Sequence, residues 1–129
     1  LAPDNSFVTK EVNLSQFEAL NKVQTYIVNN QTASKAEVFN AVYSKYIPQP
    51  FNQADVKFVL DVVYYDMDWN RRAKNAAVFI LDTNTLPLSQ EELYTQLTGE
   101  YGFTLTEANY AISTIDYPAY LNMKRGIKQ

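Results

Sequence analysis

The sequence predicts an all-α fold: two tandem three-helix repeats, each containing a helix-turn-helix, closed by a short C-terminal capping helix. Three observations predict it. The stretch AEVFNAVYSKYIPQPFNQADVKFVLDVV returns as QEELYTQLTGEYGFTLTEANYAISTI, with aromatic, aliphatic and acidic residues in matching places. Ser34 answers to Ser89, Glu37 to Glu92, Val42 to Leu97 and Tyr46 to Tyr101; after a contraction in the loop, Phe51 answers to Phe103 and Asp55 to Glu107. A period of about 50 residues marks the unit of structure. Capping signatures recur along the chain, and alternating strand patterns are missing apart from the ambiguous Tyr64-Tyr65 and an irregular start.

The elements follow from caps, stripes and breakers. Ser15 with Glu18, Ser34 with Glu37, Ser89 with Glu92 and Thr104 with Glu107 fit the Ser/Thr-x-x-Glu box, in which hydroxyl and carboxylate satisfy the free amides of a helix start. Asn52 with Asp55 is a weaker version. Apolar residues then recur at helical spacing. In the first repeat these are Phe17, Leu20, Val23 and Ile27; then Val38, Val42 and Tyr46; then Val56, Val59, Leu60 and Val63. In the second they are Trp69, Ala73, Ala76 and Ile80; then Leu93, Leu97 and Tyr101; then Ala108, Ala111 and Ile115. Breakers close the helices at Asn29-Asn30-Gln31, Pro48 and Pro50, Asp66 to Asp68, and Thr83 to Pro87, while Gly102 marks a tight turn. The expected divisions are an irregular 1–14, repeats at 15–66 and 67–118, and a terminal helix and tail at 119–129. Leu121 falls where Trp69 and Phe17 fall, so a short helix near Leu121 to Gly126 is expected to cover the end of the second repeat.

Composition removes several functions. With no cysteine there is no disulfide or thiolate chemistry, and with no histidine the commonest general base and metal ligand are gone. An enzyme would have to work with carboxylates alone. The Asp66-x-Asp68 pair is the obvious one, and at a helix junction such a pair is ordinarily a cap and a turn. No glycine-rich phosphate loop exists among Gly99, Gly102 and Gly126. The expectation is no catalysis, no cofactor and no metal. The longest wholly apolar stretch, Ala76 to Leu81, falls far short of the ~20 residues that span a bilayer. The chain starts at Leu1 rather than methionine, which suggests a processed segment with any signal peptide upstream.

Charge is uneven. From Asn75 to Met123 there is no lysine or arginine, while Asp82, Glu91, Glu92, Glu100, Glu107 and Asp116 all fall there. Glu92 and Glu107 belong to capping boxes. Asp82, Glu91, Glu100 and Asp116 have no such pattern around them and are the candidate partner-binding residues. A helix-turn-helix suggests DNA, but the helix in the reading position, Thr104 to Ile115, carries Glu107 and no cation. DNA affinity rests on phosphate neutralisation, so nucleic acid is excluded as a partner. The ten tyrosines suit packing between units or an aromatic recognition patch.

The second repeat opens with Asp68, Trp69 and Asn70, continues with Ser89, Leu93, Tyr94, Gln96 and Leu97, and closes with Gly102, Phe103, Thr104, Glu107, Ala108, Tyr110 and Ala111. On these residues it resembles the repeat of the host cell surface-exposed lipoprotein (Ltp) family. The resemblance extends from about Gln16 to Asn122. The first repeat fits more loosely, with Val56, Phe58 and Val59 where the family has alanine, tyrosine and alanine. The resemblance implies a lipid-anchored protein outside a Gram-positive cell, its anchor upstream of Leu1. Phage-encoded members act in superinfection exclusion, so the implied partner is a basic segment of an incoming phage's injection apparatus, with the tape measure protein as candidate. A monomer is expected, touching the membrane only through its anchor. The alternative is a bacterial envelope protein that binds a wall glycan or acts as a spacer.

Overall fold

A computed structural model describes residues 13–128, with seven α-helices and no strand among them. The fold is all-α. The helices are α1 (Leu14–Asn29), α2 (Lys35–Val42), α3 (Gln53–Phe58), α4 (Trp69–Thr83), α5 (Gln90–Thr95), α6 (Leu105–Ser113) and α7 (Tyr117–Lys128). Helices α3 and α5 each run on into a π-helical turn, at Val59–Val63 and Gln96–Glu100. Two compact units emerge: one holds residues 13–30 and 38–67, the other 31–37 and 68–128.

In the first unit α1 packs against α3 and its π turn. Its core is Ala19, Val23, Ile27, Val38, Val42, Phe51, Val56, Val59 and Leu60. Three expectations change here. The first helix begins at Leu14, because Asn13 rather than Ser15 caps it: the Asn13 side chain accepts from the Gln16 amide at 2.9 Å, and the Gln16 side chain accepts from the Asn13 amide at 3.0 Å. The buried face then runs through Ala19, and Phe17 is exposed. The rest of the expected irregular segment, residues 1–12, lies outside the described residues.

Helix α2 stops at Val42, because Gln49 Nε2 donates to the Val42 carbonyl at 2.9 Å and so replaces the next helical turn. Tyr46, expected at the core edge, is consequently 83% exposed. The third change concerns the π turn, in which Tyr64 donates to the Val59 carbonyl five residues back at 2.9 Å. That turn takes one more residue than an α turn, and everything beyond it rotates relative to the α period. Val63, on the stripe of Val56, Val59 and Leu60, is therefore turned outward and Tyr64 is half-buried instead.

The second unit is built on small residues. Ala73, Ala76 and Ala77 on α4 and Ala108 and Ala111 on α6 are fully buried where these helices pack. Side chains ending at Cβ allow helix axes to approach at the short end of the usual 8–10 Å. Leu93, Leu97, Ile80, Leu81, Phe103 and Tyr120 fill the remainder of the core. Both expected boxes form. Ser89 Oγ accepts from the Glu92 amide at 3.0 Å, and Thr104 Oγ1 accepts from the Glu107 amide at 3.1 Å, with each glutamate accepting in return from the cap's own amide. Thr104→Ala should lower stability by about 1 kcal/mol in denaturant titration, the usual loss for an N-cap hydroxyl.

The turn between α5 and α6 depends on Gly102, at φ 77°. Beyond it Phe103 donates to the Leu97 carbonyl at 2.9 Å, one residue wider than an ordinary Schellman closure and consistent with the π turn it ends. Ser34 Oγ accepts from the Glu37 amide at 3.0 Å and also donates to the Tyr101 carbonyl. Arg72, buried on α4, donates through Nε to the Ala33 carbonyl at 2.9 Å. Segment 31–37 is thereby tied to the second unit at both places.

The terminal helix starts earlier than expected. Asp116 caps it, Oδ1 accepting from the Ala119 amide at 3.1 Å, and Pro118 sits in the first turn, where no helical N–H is lost. Tyr120 is part of the core, and its hydroxyl accepts from the Leu88 amide at 2.8 Å.

Candidate functional site

The four candidate carboxylates are all exposed, and their local settings differ. Asp82 lies in the last turn of α4 and Glu100 ends the π turn after α5. Both sit at the negative end of a helix, where a carboxylate costs a few tenths of a kcal/mol. Neither position has a structural reason to be acidic. Glu91 is in the first turn of α5, where the helix dipole favours it. Asp116 has the capping duty on α7 that its sequence surroundings do not announce. Among the described residues none of the four is held in an ion pair.

The four do not form one cluster. Among the described residues no three carboxylates come close enough to hold a metal ion. Glu91 and Glu100 are separated by about 13 Å at 1.5 Å per residue along α5 and its π turn. Glu91 lines a groove to which Tyr117, the residue after Asp116, also contributes; Asp116 itself does not line it. Asp82 stands two residues before Asn84, at the start of the loop that forms the groove's other side. Glu100 is near the Gly102 turn instead.

That groove has a volume of about 490 Å³ and is lined by Pro87, Leu88, Ser89, Gln90, Glu91, Tyr117 and Leu121. A second depression of about 340 Å³ adjoins it, sharing Leu88 and Glu91 and continuing along α5 past Glu92, Thr95 and Gln96. Two partly buried hydrogen bonds fix the loop 84–89 against α7. One is the Leu88 amide on Tyr120, and the other is Lys124 Nζ donating to the Asn84 carbonyl at 2.7 Å. Lys124 is only 5% exposed and lies 6.0 Å over the Tyr120 ring. The basic tail therefore places one of its cations under the acidic surface, at the carbonyl end of α4, where the dipole favours it.

Tyr117 packs edge-on to Tyr120 at 5.1 Å between ring centroids, and its hydroxyl is enclosed without a hydrogen-bond partner. Burial, with smaller contributions from Tyr120 and Glu92, pushes this phenol above the usual tyrosine value. Burial does the same to Tyr101, with added repulsion from Glu37 and Glu100. The fold thus favours the neutral phenols: their contribution is intact below the unfolded tyrosine pKa of about 10 and is lost as pH rises through the folded values. Tyr117→Phe should raise stability at neutral pH by roughly 1 kcal/mol, because it removes an unpaired buried group. It should also flatten the alkaline decline, as measured by denaturant midpoints across pH.

Leu88 and Leu121 were not legible in the sequence as surface features, and Tyr117 was legible only as one of the tyrosines suited to packing or to a recognition patch. Each carries an apolar side chain at a position that also packs on the core, so hydrophobic pattern alone assigns them to the interior.

Fold and surface together define an all-α domain with a helix-turn-helix at α5–α6 and unpaired carboxylates displayed around it. Residues 68–115 match the sequence model of the host cell surface-exposed lipoprotein (Ltp) family, and the resemblance carried by Asp68, Trp69, Asn70, Gly102 and Phe103 holds over this segment. The family's description is of a lipoprotein exposed on the host cell surface. Neither a curated protein nor a solved structure gives a significant match to the chain. Among the described residues no helix is long and apolar enough to cross a membrane.

Proposed function

We propose that this chain is the surface-displayed, non-enzymatic binding domain of a lipoprotein that blocks DNA uptake from a superinfecting phage by capturing a basic protein of the injection apparatus. In this reading a lipid anchor holds the chain on the outer face of a Gram-positive cell. One observation carries the reading: the segment that matches the surface lipoprotein family displays Asp82, Glu91 and Glu100 in the open, with Asp116 immediately beyond it, and among the described residues none of the four is in an ion pair. Two of these carboxylates, Asp82 and Glu100, oppose their helix dipoles, so helix stability does not explain why they are acidic. Unpaired surface charge of one sign speeds encounter with an oppositely charged partner and rejects like-charged ones.

The test is display of the anchored chain on a sensitive host, followed by challenge with related phage. Adsorption should proceed as on bare cells while plaque formation falls by orders of magnitude. Equal plaque numbers on both hosts would remove the exclusion reading and leave the envelope roles.

A further inference from the structure

We infer that the groove between loop 84–89 and α7 is the docking site for a protein segment that combines an apolar anchor side chain with a lysine or arginine beside it. The inference rests on the reading of the second unit as a binder of basic protein and names the surface on which such a partner sits.

Pro87, Leu88, Tyr117 and Leu121 give the groove apolar walls, and Glu91 stands where it meets the second depression along α5. The walls are held in place before any partner arrives. Leu88, Tyr117 and Leu121 also pack on the core. The Leu88 amide is bonded to the Tyr120 hydroxyl, and Asn84 is bonded to Lys124. A surface held this way loses little entropy when it is covered. Charge selects the occupant. Among the described residues no cation lines either depression, while Glu91 lines both, Glu92 lines the second and Asp116 directly precedes Tyr117. A purely apolar occupant would strip water from Glu91 and leave it unpaired, and an acidic one would be repelled. A purely basic occupant would leave the apolar walls in water. Only a segment with both features satisfies the groove, and its anchor has room in a volume of about 490 Å³.

The experiment is a chemical-shift titration of the whole chain with three synthetic peptides. One alternates lysine with leucine, one lysine with serine, and one glutamate with leucine. The lysine-leucine peptide should shift the amides of Leu88, Gln90, Glu91 and Leu121, bind about tenfold more tightly than the lysine-serine peptide, and outcompete an undetectable glutamate-leucine peptide. Gln90→Trp, at an exposed position on the groove's edge, should weaken the first peptide by about tenfold with the helical spectrum unchanged. Glu91→Gln should weaken it without filling the groove. Equal binding of the lysine-leucine and lysine-serine peptides would overturn the inference. So would concentration-dependent self-association abolished by Gln90→Trp, since a second copy would then occupy the groove.

The two readings fail separately. If displayed Gln90→Trp protects cells as well as the unaltered chain while removal of the carboxylate charges does not, the groove is wrong and exclusion by charge stands. If the lysine-leucine peptide binds as expected and the displayed chain gives no protection, the groove stands and the exclusion role falls.

Discussion

Gly102→Ala should destabilise the second unit by about 2 to 3 kcal/mol, while the chemically identical change Gly99→Ala, three residues earlier, should stabilise it by about 0.5 to 1 kcal/mol. At Gly102 the backbone is at φ 77°, where a Cβ costs about 1 to 2 kcal/mol by itself. The added carbon would also lie 3.2 Å from Ala36 Cβ and 3.3 Å from Ser34 Oγ. Neither neighbour is free to move. Ser34 is engaged with both the Glu37 amide and the Tyr101 carbonyl, and Ala36 is fixed in the first turn of α2. Gly99 lies in the π turn with nothing within 4 Å of the Cβ it lacks, so alanine there mainly restricts the unfolded chain. Denaturant midpoints for the two variants should move in opposite directions. A shared direction would mean that the turn is not built as described.

Leu97→Ala should cost about 4 kcal/mol, in the upper part of the roughly 2.7 to 5.0 kcal/mol seen for buried leucines. Leu97 is 0% exposed, within a core that contains Ala73, Ala76, Ala77, Ala108 and Ala111. Alanine has no rotamer with which to swing into a hole, so the cavity would stay open and its full volume would count against stability. Filling it with methionine, Leu97→Met, should cost less than about 1.5 kcal/mol. If the alanine variant lost only what the methionine variant loses, the core would have collapsed around the hole.

Much of this architecture was legible because local chemistry dictates it. The Ser89 and Thr104 boxes, the Gly102 turn and the alanine faces of α4 and α6 each involve residues that have few other ways to satisfy their backbone or their surface. What escaped is set by longer-range competition. Asn13 holds the cap in place of Ser15: it exchanges two hydrogen bonds with Gln16, and the Ser15 hydroxyl donates to the Asn13 side chain. The π turns leave no periodic signature, since one extra residue shifts the stripe that would reveal them; Val63 and Tyr64 change places for that reason. Tyr46 left the core because Gln49, seven residues beyond Val42, ends α2. Among the candidate site residues, charge spacing identified exposed carboxylates but gave no hint that Asp116 caps α7 or that Glu91, of the four, is the one that lines a groove. The groove beside Glu91 was hidden because its walls double as core, and because Lys124 folds beneath it from the basic tail.

The capping role of Asp116 decides how the acidic surface should be tested. Asp116→Lys would break α7 as well as reverse a charge, whereas Asp116→Asn keeps a side-chain oxygen for the Ala119 amide. The decisive measurement is therefore the uptake of labelled phage DNA by cells displaying the anchored chain, beside cells displaying Asp82→Asn, Glu91→Gln, Glu100→Gln and Asp116→Asn together. Surface amounts and thermal unfolding should match between the two. The account predicts that adsorbed phage deliver little DNA into the first cells and normal amounts into the second. Equally strong blockage by both chains would contradict capture through the acidic surface.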